Sequence, residues 1–402
     1  MNKNNKSKIA LTGGAAAAEA LKQIEPDVMA VYPITPQTPI IETYAKFQAD
    51  GEVATEIIQA ESEHSAISAC VGASAAGART VTATSSQGLA LMNEILYIAS
   101  GMRLPILMLV SARALSAPIN IHGDHSDVMG ARDAGWIQLF SENPQEVYDN
   151  TIIGMKLAEK TRLPIMVIMD GFNTSHSVEN LEILDKKIVK KFIGEYNPKN
   201  YLLDIKNPKT FGPLVLQNSY FDFKIDQEKA MQDSTAEYEK IAKEYEKISP
   251  STSSGRVKKG CFEEYKTKNA ESVIVAMGST AGTIKDVVDD LRKKGQKVGV
   301  LKINLFRPFP HKEIATVLKN VKNIAVLDRS QSIGTFPPLY TEIVNSLADA
   351  TNYQLPASSA GGQTTNSYVY GLGGKDVFAK DIEKVFVDIF KNNKNKEIKY
   401  IK

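Results

Sequence analysis

The chain has 402 residues, more than a single hydrophobic core usually holds, so two domains are expected. Its 48 Lys and Arg residues nearly balance 46 Asp and Glu residues, and the formal net charge of +2 argues against binding to nucleic acid or to an anionic membrane surface. No apolar run approaches the roughly 20 residues of a membrane-spanning helix, and no signal-peptide core follows the polar start, so a cytoplasmic protein is expected.

The cysteines and histidines are too few for a metal cluster within this chain. Cys70 and Cys261 are the only cysteines, which excludes a disulfide framework and a four-thiolate cluster. Five histidines occur, but neither an HExxH nor a CxxC spacing is present, so no zinc site is predicted. An iron–sulfur cluster, if the activity needs one, must be held by another chain.

An Ala-rich helix over 9–24 is followed by a short apolar strand that ends at Pro33. The loop from Tyr32 to Ile40 contains three prolines, which restrict the positions of the hydroxyl groups of Thr35 and Thr38. A stiff polar loop at the carboxyl end of a strand is where α/β proteins bind ligands. For this loop alone, a rigid connector without a ligand is the alternative.

The segment from Glu56 to Met92 predicts a helix, a strand, a turn and a second helix. Glu61 and Glu63 precede a run of small residues, beside which a flat ligand or another backbone can approach closely. Against that wall, desolvation would raise the pKa of a carboxyl group and let it share a proton with a buried base. Either glutamate satisfies this pattern, and a simple contact with the helix dipole is the alternative. The predicted strand ends at Ser85-Ser86-Gln87-Gly88.

Arg113 follows the uninterrupted apolar strand over 104–110, and its planar guanidinium suits a carboxylate ligand. A surface arginine that merely ends the strand is the alternative. Asp124, His125 and Asp127 could suggest metal ligands, but such Asp- and Gly-rich clusters more often form self-bonded turns. Helix 144–160 and strand 163–169 continue the alternation, which predicts a parallel, doubly wound sheet.

Three further motifs resemble ligand sites. Asp170-Gly171 with Asn197 loosely imitates the magnesium–diphosphate signature of thiamine enzymes, but Met169 replaces its leading glycine, and a chance match is preferred. GST at 278–280 resembles a phosphate-binding turn at the start of a helix, and GLGG at 371–374 could support the same function. Without a full GxGxxG motif, packing is the preferred role for the GST turn.

The sequence pattern changes twice after about residue 179. Lys-rich and aromatic segments over 179–260, including a charged helix over 227–247, predict a bridge whose surface is covered by partners. The segment 249–259 predicts a linker. A second α/β pattern follows over 272–347 and predicts a second domain, and the basic end of the chain is expected to be a solvated tail.

The ordered motifs resemble one family. The segments YPITPQTPI, ESEH, TATSSQGLALM, SARAL and GDHSD with ARDAGW resemble, in that order, the alpha subunit of pyruvate:ferredoxin oxidoreductase and its 2-oxoacid relatives, and VIVAMGSTAGT, LFRPFP and VLDRS extend the resemblance to the second domain. The resemblance implies an α/β fold in which a parallel-sheet, pyrimidine-type thiamine diphosphate domain over 1–248 is joined by a linker over 249–262 to a smaller doubly wound, transketolase C-terminal-like domain over 263–402.

The resemblance also implies a site. Glu63, and not Glu61, matches the family's activating glutamate, while Thr35 and Arg113 match the residues that bind the 2-oxoacid. Glu63, Thr35, Ser86 and Gln87 would contact thiamine diphosphate, which is shared with a beta subunit, and no metal ligand is expected in this chain. Mg²⁺ and 4Fe–4S clusters would belong to partner subunits.

The implied reaction is the oxidative decarboxylation of pyruvate with coenzyme A to acetyl-CoA and CO2. Electrons would pass to ferredoxin, and the chain would act only with beta, gamma and delta subunits. The first alternative is the same class of enzyme acting on 2-oxoisovalerate, 2-oxoglutarate, an arylpyruvate or oxalate. The second is a non-catalytic nucleotide-binding scaffold subunit, supported by the GST and GLGG motifs.

Overall fold

The computed structural model describes residues 6–249, 260–349, 362–391 and 397–402. Most of the linker predicted over 249–262, and part of the basic C-terminal stretch, lie outside these described residues. Within them, α-helices alternate with parallel strands, as the sequence predicts. In the part of the chain that is described, no helix combines the length and the apolar character needed to cross a bilayer.

The strands, in chain order, are β1 (Lys6–Thr12), β2 (Val28–Val31), β3 (Glu56–Gln59), β4 (Thr80–Thr84), β5 (Ile106–Ala112), β6 (Ile137–Ser141), β7 (Ile165–Asp170), β8 (Val178–Leu184), β9 (Phe262–Tyr265), β10 (Ser272–Ala276), β11 (Val298–Ile303), β12 (Leu305–Arg307), β13 (Asn323–Asp328), β14 (Thr364–Val369) and β15 (Lys399–Tyr400).

The helices are α1 (Gly13–Ile24), α2 (Thr38–Ala49), α3 (Glu63–Ala75), α4 (Ser86–Leu91), α5 (Asn93–Gly101), α6 (Ser126–Gly130), α7 (Pro144–Thr161), α8 (Lys186–Ile193), α9 (Gln217–Ile248), α10 (Thr280–Lys293), α11 (His311–Leu318), α12 (Pro338–Asp349) and α13 (Ala379–Phe390).

The larger sheet has seven strands in the order β12-β6-β7-β5-β4-β2-β3. Its strands pair in parallel except at the edge, where β12 runs antiparallel to β6. Because β12 comes from the second half of the sequence, the sheet is completed by residues on both sides of the linker. The side chain of Leu305, which pairs with Leu139, is fully buried and joins the apolar core of this sheet.

The second sheet has six strands in the order β15-β14-β13-β10-β11-β9. Strand β9 is antiparallel to β11, and the other pairs are parallel. A separate two-stranded antiparallel sheet, β1 with β8, lies beside the first domain. Two sheets with parallel strands and flanking helices are the doubly wound arrangement that the sequence predicts.

Element boundaries differ from the predictions in a few places. The helix predicted over 9–24 begins only at Gly13, because the residues before it pair with β8 as strand β1; the Thr12 side chain caps α1 by accepting a hydrogen bond from the Ala15 amide. The predicted helix over 89–99 is two helices, α4 and α5, with Met92 between them. The predicted helix over 227–247 is α9, which begins ten residues earlier, at Gln217. Its first turns expose apolar side chains such as Tyr220, Phe221 and Phe223 and do not bury them, so no core-facing pattern marks them.

A buried ionic cluster joins the two sheets. The Lys302 ammonium on β11 lies 2.8 Å from Glu142, 2.6 Å from Glu146 and 3.1 Å from Glu263. Lys285 on α10 lies 2.8 Å from both Glu142 and Glu263. Burial disfavours the charged form of Lys302, but the three carboxylates outweigh it and raise its pKa above the ordinary value. Lys302 therefore stays protonated throughout the physiological pH range.

Removing Lys302 should destabilise the chain. Lys302→Ala takes away the ammonium that the three carboxylates share, and we expect the free energy of unfolding to fall by about 3–5 kcal/mol. Because the pKa of Lys302 is raised on folding, the stability that its charge contributes is present below the unfolded-state pKa and is lost only as the pH rises further. The decrease in unfolding free energy caused by Lys302→Ala should therefore be the same at pH 6 and pH 8. Urea denaturation measures it. Lys297→Ala is the control: this side chain is 62% exposed and pairs with Glu271, so a loss below about 1 kcal/mol is expected. Equal losses in the two variants would contradict the assignment.

Candidate functional site

The predicted site residues follow four neighbouring strands of the larger sheet. Thr35 follows β2, Glu63 follows β3, Ser86 and Gln87 follow β4, and Arg113 follows β5. These strands lie side by side in the order β5-β4-β2-β3 and run parallel. Their carboxyl ends therefore meet at one edge, which is where open α/β sheets bind ligands.

Glu63 is the first residue of α3, and its side chain is 7% exposed. The helix is capped by Ser62, whose hydroxyl accepts a hydrogen bond from the Ser65 amide. Glu61, the other candidate, is exposed, and its carboxylate accepts a hydrogen bond from the Ser65 hydroxyl. The structure thus buries one of the two glutamates and leaves the other in solvent. The two could not be separated by residue pattern alone.

Gly88 allows helix α4 to pack directly against Glu63. A Cβ atom at Gly88 would lie 2.6 Å from Glu63 Oε1 and 2.6 Å from Thr84 Oγ1, closer than real side chains approach. Among the described residues, no hydrogen bond or ion pair engages the Glu63 carboxylate. The buried hydroxyls of Thr84 and Ser85 likewise have no partner in this part of the chain. Beside Glu63, helix α4 therefore packs without a side chain in between, and the nearby polar groups have no partner in the described residues.

Arg113 and Thr35 are in direct contact. The Arg113 Nη1 donates to the Thr35 carbonyl oxygen at 2.9 Å, and its Nε donates to the Asn120 carbonyl oxygen at 3.0 Å. Arg113 is 7% exposed, and burial lowers its pKa from the ordinary value, whereas Thr35 is exposed. In the described residues, Arg113 Nη2 has no hydrogen-bond partner. Two guanidinium nitrogens, Nε and Nη1, are therefore bonded to backbone carbonyls, and the third, Nη2, can donate to a carboxylate.

Asp127 is a site residue whose role the sequence did not reveal. Its Oδ2 accepts hydrogen bonds from the backbone amides of Ser86, at 2.8 Å, and Arg113, at 2.9 Å, and its Oδ1 accepts one from Val128. Burial raises the pKa of Asp127 to about 7, although these three amides act to lower it. Asp127 joins the Ser86-Gln87 turn to the strand end at Arg113. Its two distant partners are 41 and 14 residues away in sequence, so no local motif could indicate this contact.

The other residues of the Asp- and His-containing cluster also bind within the protein. Asp124 Oδ1 accepts hydrogen bonds from the amide and hydroxyl of Ser126, and its Oδ2 accepts one from the Gly373 amide. His125 Nε2 lies 2.7 Å from Asp170 Oδ1. Asp124 and Ser126 form the self-bonded turn that the sequence favours, whereas the contacts of Asp124 with Gly373 and of His125 with Asp170 are long-range ones that it did not indicate.

The carboxylate of Asp170 occupies the predicted phosphate-binding turn. Its Oδ2 accepts hydrogen bonds from the Ser279 amide at 3.0 Å and hydroxyl at 2.6 Å, and from Arg329 at 2.8 Å. Burial alone would raise the pKa of Asp170, but His125 and Arg329 hold it below the usual range. The anion at the start of α10 is therefore the carboxylate of Asp170, a residue of the same chain. Asn197 is exposed, and its pairing with Asp170 in the sequence stays a chance match.

Comparison with known proteins agrees with these motifs. Residues 19–246 match the family model described as pyruvate flavodoxin/ferredoxin oxidoreductase, thiamine diphosphate-binding, and residues 270–382 match pyruvate:ferredoxin oxidoreductase core domain II. Pyruvate synthase subunit PorA of Thermotoga maritima is 52% identical over 388 residues, covering 96% of this chain and 95% of that relative. PorA of Methanocaldococcus jannaschii is 45% identical over 93% of each chain.

Two further comparisons are more distant. Ketoisovalerate oxidoreductase subunit VorA of Pyrococcus horikoshii is 39% identical over 96% of this chain and 95% of its own length. A solved 2-oxoglutarate:ferredoxin oxidoreductase from Magnetococcus marinus shares the fold with a TM-score of 0.71 at 20% identity, and the match spans 95% of this chain and 65% of that chain. The α/β fold class and the family resemblance predicted from sequence are confirmed. The chain belongs to the pyruvate flavodoxin/ferredoxin oxidoreductase family.

Proposed function

We propose that this chain is the alpha subunit of a pyruvate:ferredoxin oxidoreductase, which converts pyruvate and coenzyme A to acetyl-CoA and CO2 and passes electrons to ferredoxin. The convergence of Glu63, Thr35 and Arg113 at one edge of a parallel sheet carries the proposal. The relatives named as pyruvate synthase subunits, at up to 52% identity, support pyruvate as the substrate. Because those relatives are named as subunits, we infer that this chain also works within a larger enzyme.

The pocket beside Glu63 fits the pyrimidine end of thiamine diphosphate. It offers a buried carboxylate, unpaired hydroxyls at Thr84 and Ser85, and a wall that Gly88 keeps free of bulk. Bound thiamine diphosphate supplies a carbon nucleophile and an electron sink for decarboxylation. In this chain, Glu63 would lie opposite a ring nitrogen and share a proton with it.

Arg113 and Thr35 would orient the substrate. The free Nη2 of Arg113 and the exposed Thr35 side chain can bind the 2-oxoacid carboxylate, the group that leaves as CO2. The guanidinium is already fixed by the carbonyls of Thr35 and Asn120, so little side-chain freedom remains to be lost when the substrate binds. Ser86 and Gln87 lie in the turn after β4, which Asp127 holds through the Ser86 amide, and they would contact the cofactor.

The remaining chemistry belongs to partner chains in this proposal. The only two cysteines, Cys70 and Cys261, are buried, and burial raises the pKa of each thiol to about 12, which suits neither for cluster ligation. We therefore assign the diphosphate site, Mg²⁺ and the 4Fe–4S clusters to beta, gamma and delta subunits, in a cytoplasmic complex. Within this chain we assign the pyrimidine-binding domain to 1–248, a linker to 249–262 and the second domain to 263–402.

A branched substrate is the second candidate, because a relative named as a ketoisovalerate oxidoreductase subunit is 39% identical. The lower identity favours pyruvate. Ferredoxin-linked rates of the assembled complex on pyruvate, 2-oxoisovalerate, 2-oxoglutarate, an arylpyruvate and oxalate test the choice. The highest kcat/KM is expected for pyruvate, and a higher value for another acid would overturn the substrate while leaving the enzyme class in place.

Glu63→Gln should abolish catalysis without preventing assembly. The amide cannot share the proton that the carboxyl group holds, so we expect turnover to fall by at least about 100-fold. Pyruvate-dependent ferredoxin reduction measures activity, and size-exclusion chromatography measures assembly. Glu61→Gln is the matched control, since Glu61 is exposed two residues away. Near-normal turnover in Glu63→Gln would refute the role of this residue.

Arg113→Ala should raise the KM for pyruvate while thiamine diphosphate affinity barely changes. The loss of a charge-assisted hydrogen bond to the carboxylate corresponds to about a tenfold to 100-fold increase in KM. Steady-state kinetics and cofactor titration separate the two effects. Arg132→Ala removes a partly exposed arginine that bonds to the Met129 carbonyl oxygen and should leave both constants near their normal values. An unchanged KM in Arg113→Ala would exclude the carboxylate-binding role.

Gly88→Ala should lower thiamine diphosphate affinity in the assembled complex. The added methyl group would meet Glu63 Oε1 and Thr84 Oγ1 and displace the carboxylate, a close contact of the kind that costs about 1–3 kcal/mol. Cofactor titration measures the affinity, and thermal unfolding of the chain measures the strain. Gly72→Ala is the control within helix α3, because an added Cβ there meets no atom of the described residues within 4 Å. Identical behaviour of the two variants would show that α4 does not confine Glu63.

A further inference from the structure

The loop Asn120–His122 supports Arg113 from one side. The Arg113 Nε donates to the Asn120 carbonyl oxygen at 3.0 Å, and the next residue, Ala114, donates its amide to the His122 carbonyl oxygen at 3.1 Å. Both acceptors are backbone atoms of the same short loop. A displacement of this loop would therefore move the guanidinium of Arg113 and the backbone beside it together.

A turn of the second domain supports the same loop from the other side. This glycine turn, residues Gly371–Gly374, connects β14 to the segment before α13. The Asn120 Nδ2 donates to the Gly373 carbonyl oxygen at 3.0 Å, and the Gly373 amide donates to Asp124 Oδ2 at 3.1 Å. Gly374 lies against His122, where an added Cβ would be 2.3 Å from the His122 Cβ. The loop thus lies between Arg113 and the second domain, in contact with both.

Glycine is required at this turn for two reasons. Gly373 and Gly374 have φ angles of +58° and +78°, which L side chains rarely adopt. In addition, the atoms next to Gly374 belong to the base of His122, which cannot swing away as the end of a long side chain could. A methyl group at Gly374 must therefore push the loop itself.

We propose that the glycine turn of the second domain positions Arg113 through the Asn120–His122 loop, so that the second domain determines how firmly the substrate carboxylate is held. This inference rests on the proposed role of Arg113. It assigns the second domain a function in substrate binding beyond packing against the first. The GLGG motif, which could suggest a nucleotide-binding turn, here packs on the chain's own loop.

Gly374→Ala tests the proposal in the assembled complex, with Gly334→Ala as the matched control. Gly334 also has a positive φ, +88°, in the second domain, but no atom of the described residues lies within 4 Å of an added Cβ. Both variants place a Cβ on a residue with a positive φ, and only Gly374→Ala pushes on the loop. We expect the KM for the preferred 2-oxoacid to rise about fivefold to tenfold relative to Gly334→Ala, with kcat and thiamine diphosphate affinity within about twofold.

Asn120→Ala is a second variant, at a residue without a positive φ, which removes the Nδ2 hydrogen bond to Gly373 together with the Oδ1 contacts to the amide and ring of His122. It should raise KM in the same direction by a smaller factor, and it keeps the proposal testable if Gly374→Ala fails to fold. Hydrogen–deuterium exchange provides a readout that does not depend on activity: amides over 113–127 should exchange faster in Gly374→Ala than in Gly334→Ala. Unchanged exchange, or faster exchange with an unchanged KM, would overturn the proposal.

A failure of the proposed function can be distinguished from a failure of this inference. A wild-type complex that decarboxylates no 2-oxoacid would refute the enzyme assignment, whereas the exchange comparison would still accept or reject the link between the glycine turn and Arg113.

Discussion

The buried carboxylate of Asp170 is the contact on which the arrangement of the site depends. It lies at the carboxyl end of β7 and is bound by His125 from the site loop and by Ser279 and Arg329 from the second domain. A lone carboxylate in this interior would be costly, and its removal from a paired set typically costs about 3–5 kcal/mol. Asp170 therefore fixes the loop that carries Asp127 and fixes the second domain against the first in a single contact.

From Asp170, a short series of contacts reaches Ser86, Arg113 and Thr35. The loop held by His125 continues to Asp127, which binds the amides of Ser86 and Arg113. Arg113 in turn holds the Thr35 carbonyl. Arg113, the proline-rich loop and the turn after β4 thus form one hydrogen-bonded unit, so their relative positions are set before any ligand binds. Preorganised groups of this kind lose little freedom on binding.

Glu63 is held by different means. No hydrogen bond from the described residues fixes its carboxylate, and its position depends on packing against Gly88 and on the start of α3. The candidate site therefore combines hydrogen-bonded residues around Arg113 with a carboxylate, Glu63, that is confined by packing and has no partner in the described residues. Because no described residue bonds to the Glu63 carboxylate, a ligand can supply its partner.

The sequence by itself determined the alternation of strands and helices, because burial on both faces of a parallel strand leaves a local apolar run. The ordered motifs also indicated the family, with Glu63, Thr35 and Arg113 as candidates. Only the tertiary structure decided which strand ends are neighbours, that β12 completes the first sheet, and that Asp127 joins two site segments. Such contacts link residues far apart in the chain and leave no periodic trace. Asp170-Gly171 and the GST turn each resembled a phosphate site in sequence, whereas in the folded chain they bind one another, because a buried carboxylate and a helix start satisfy each other.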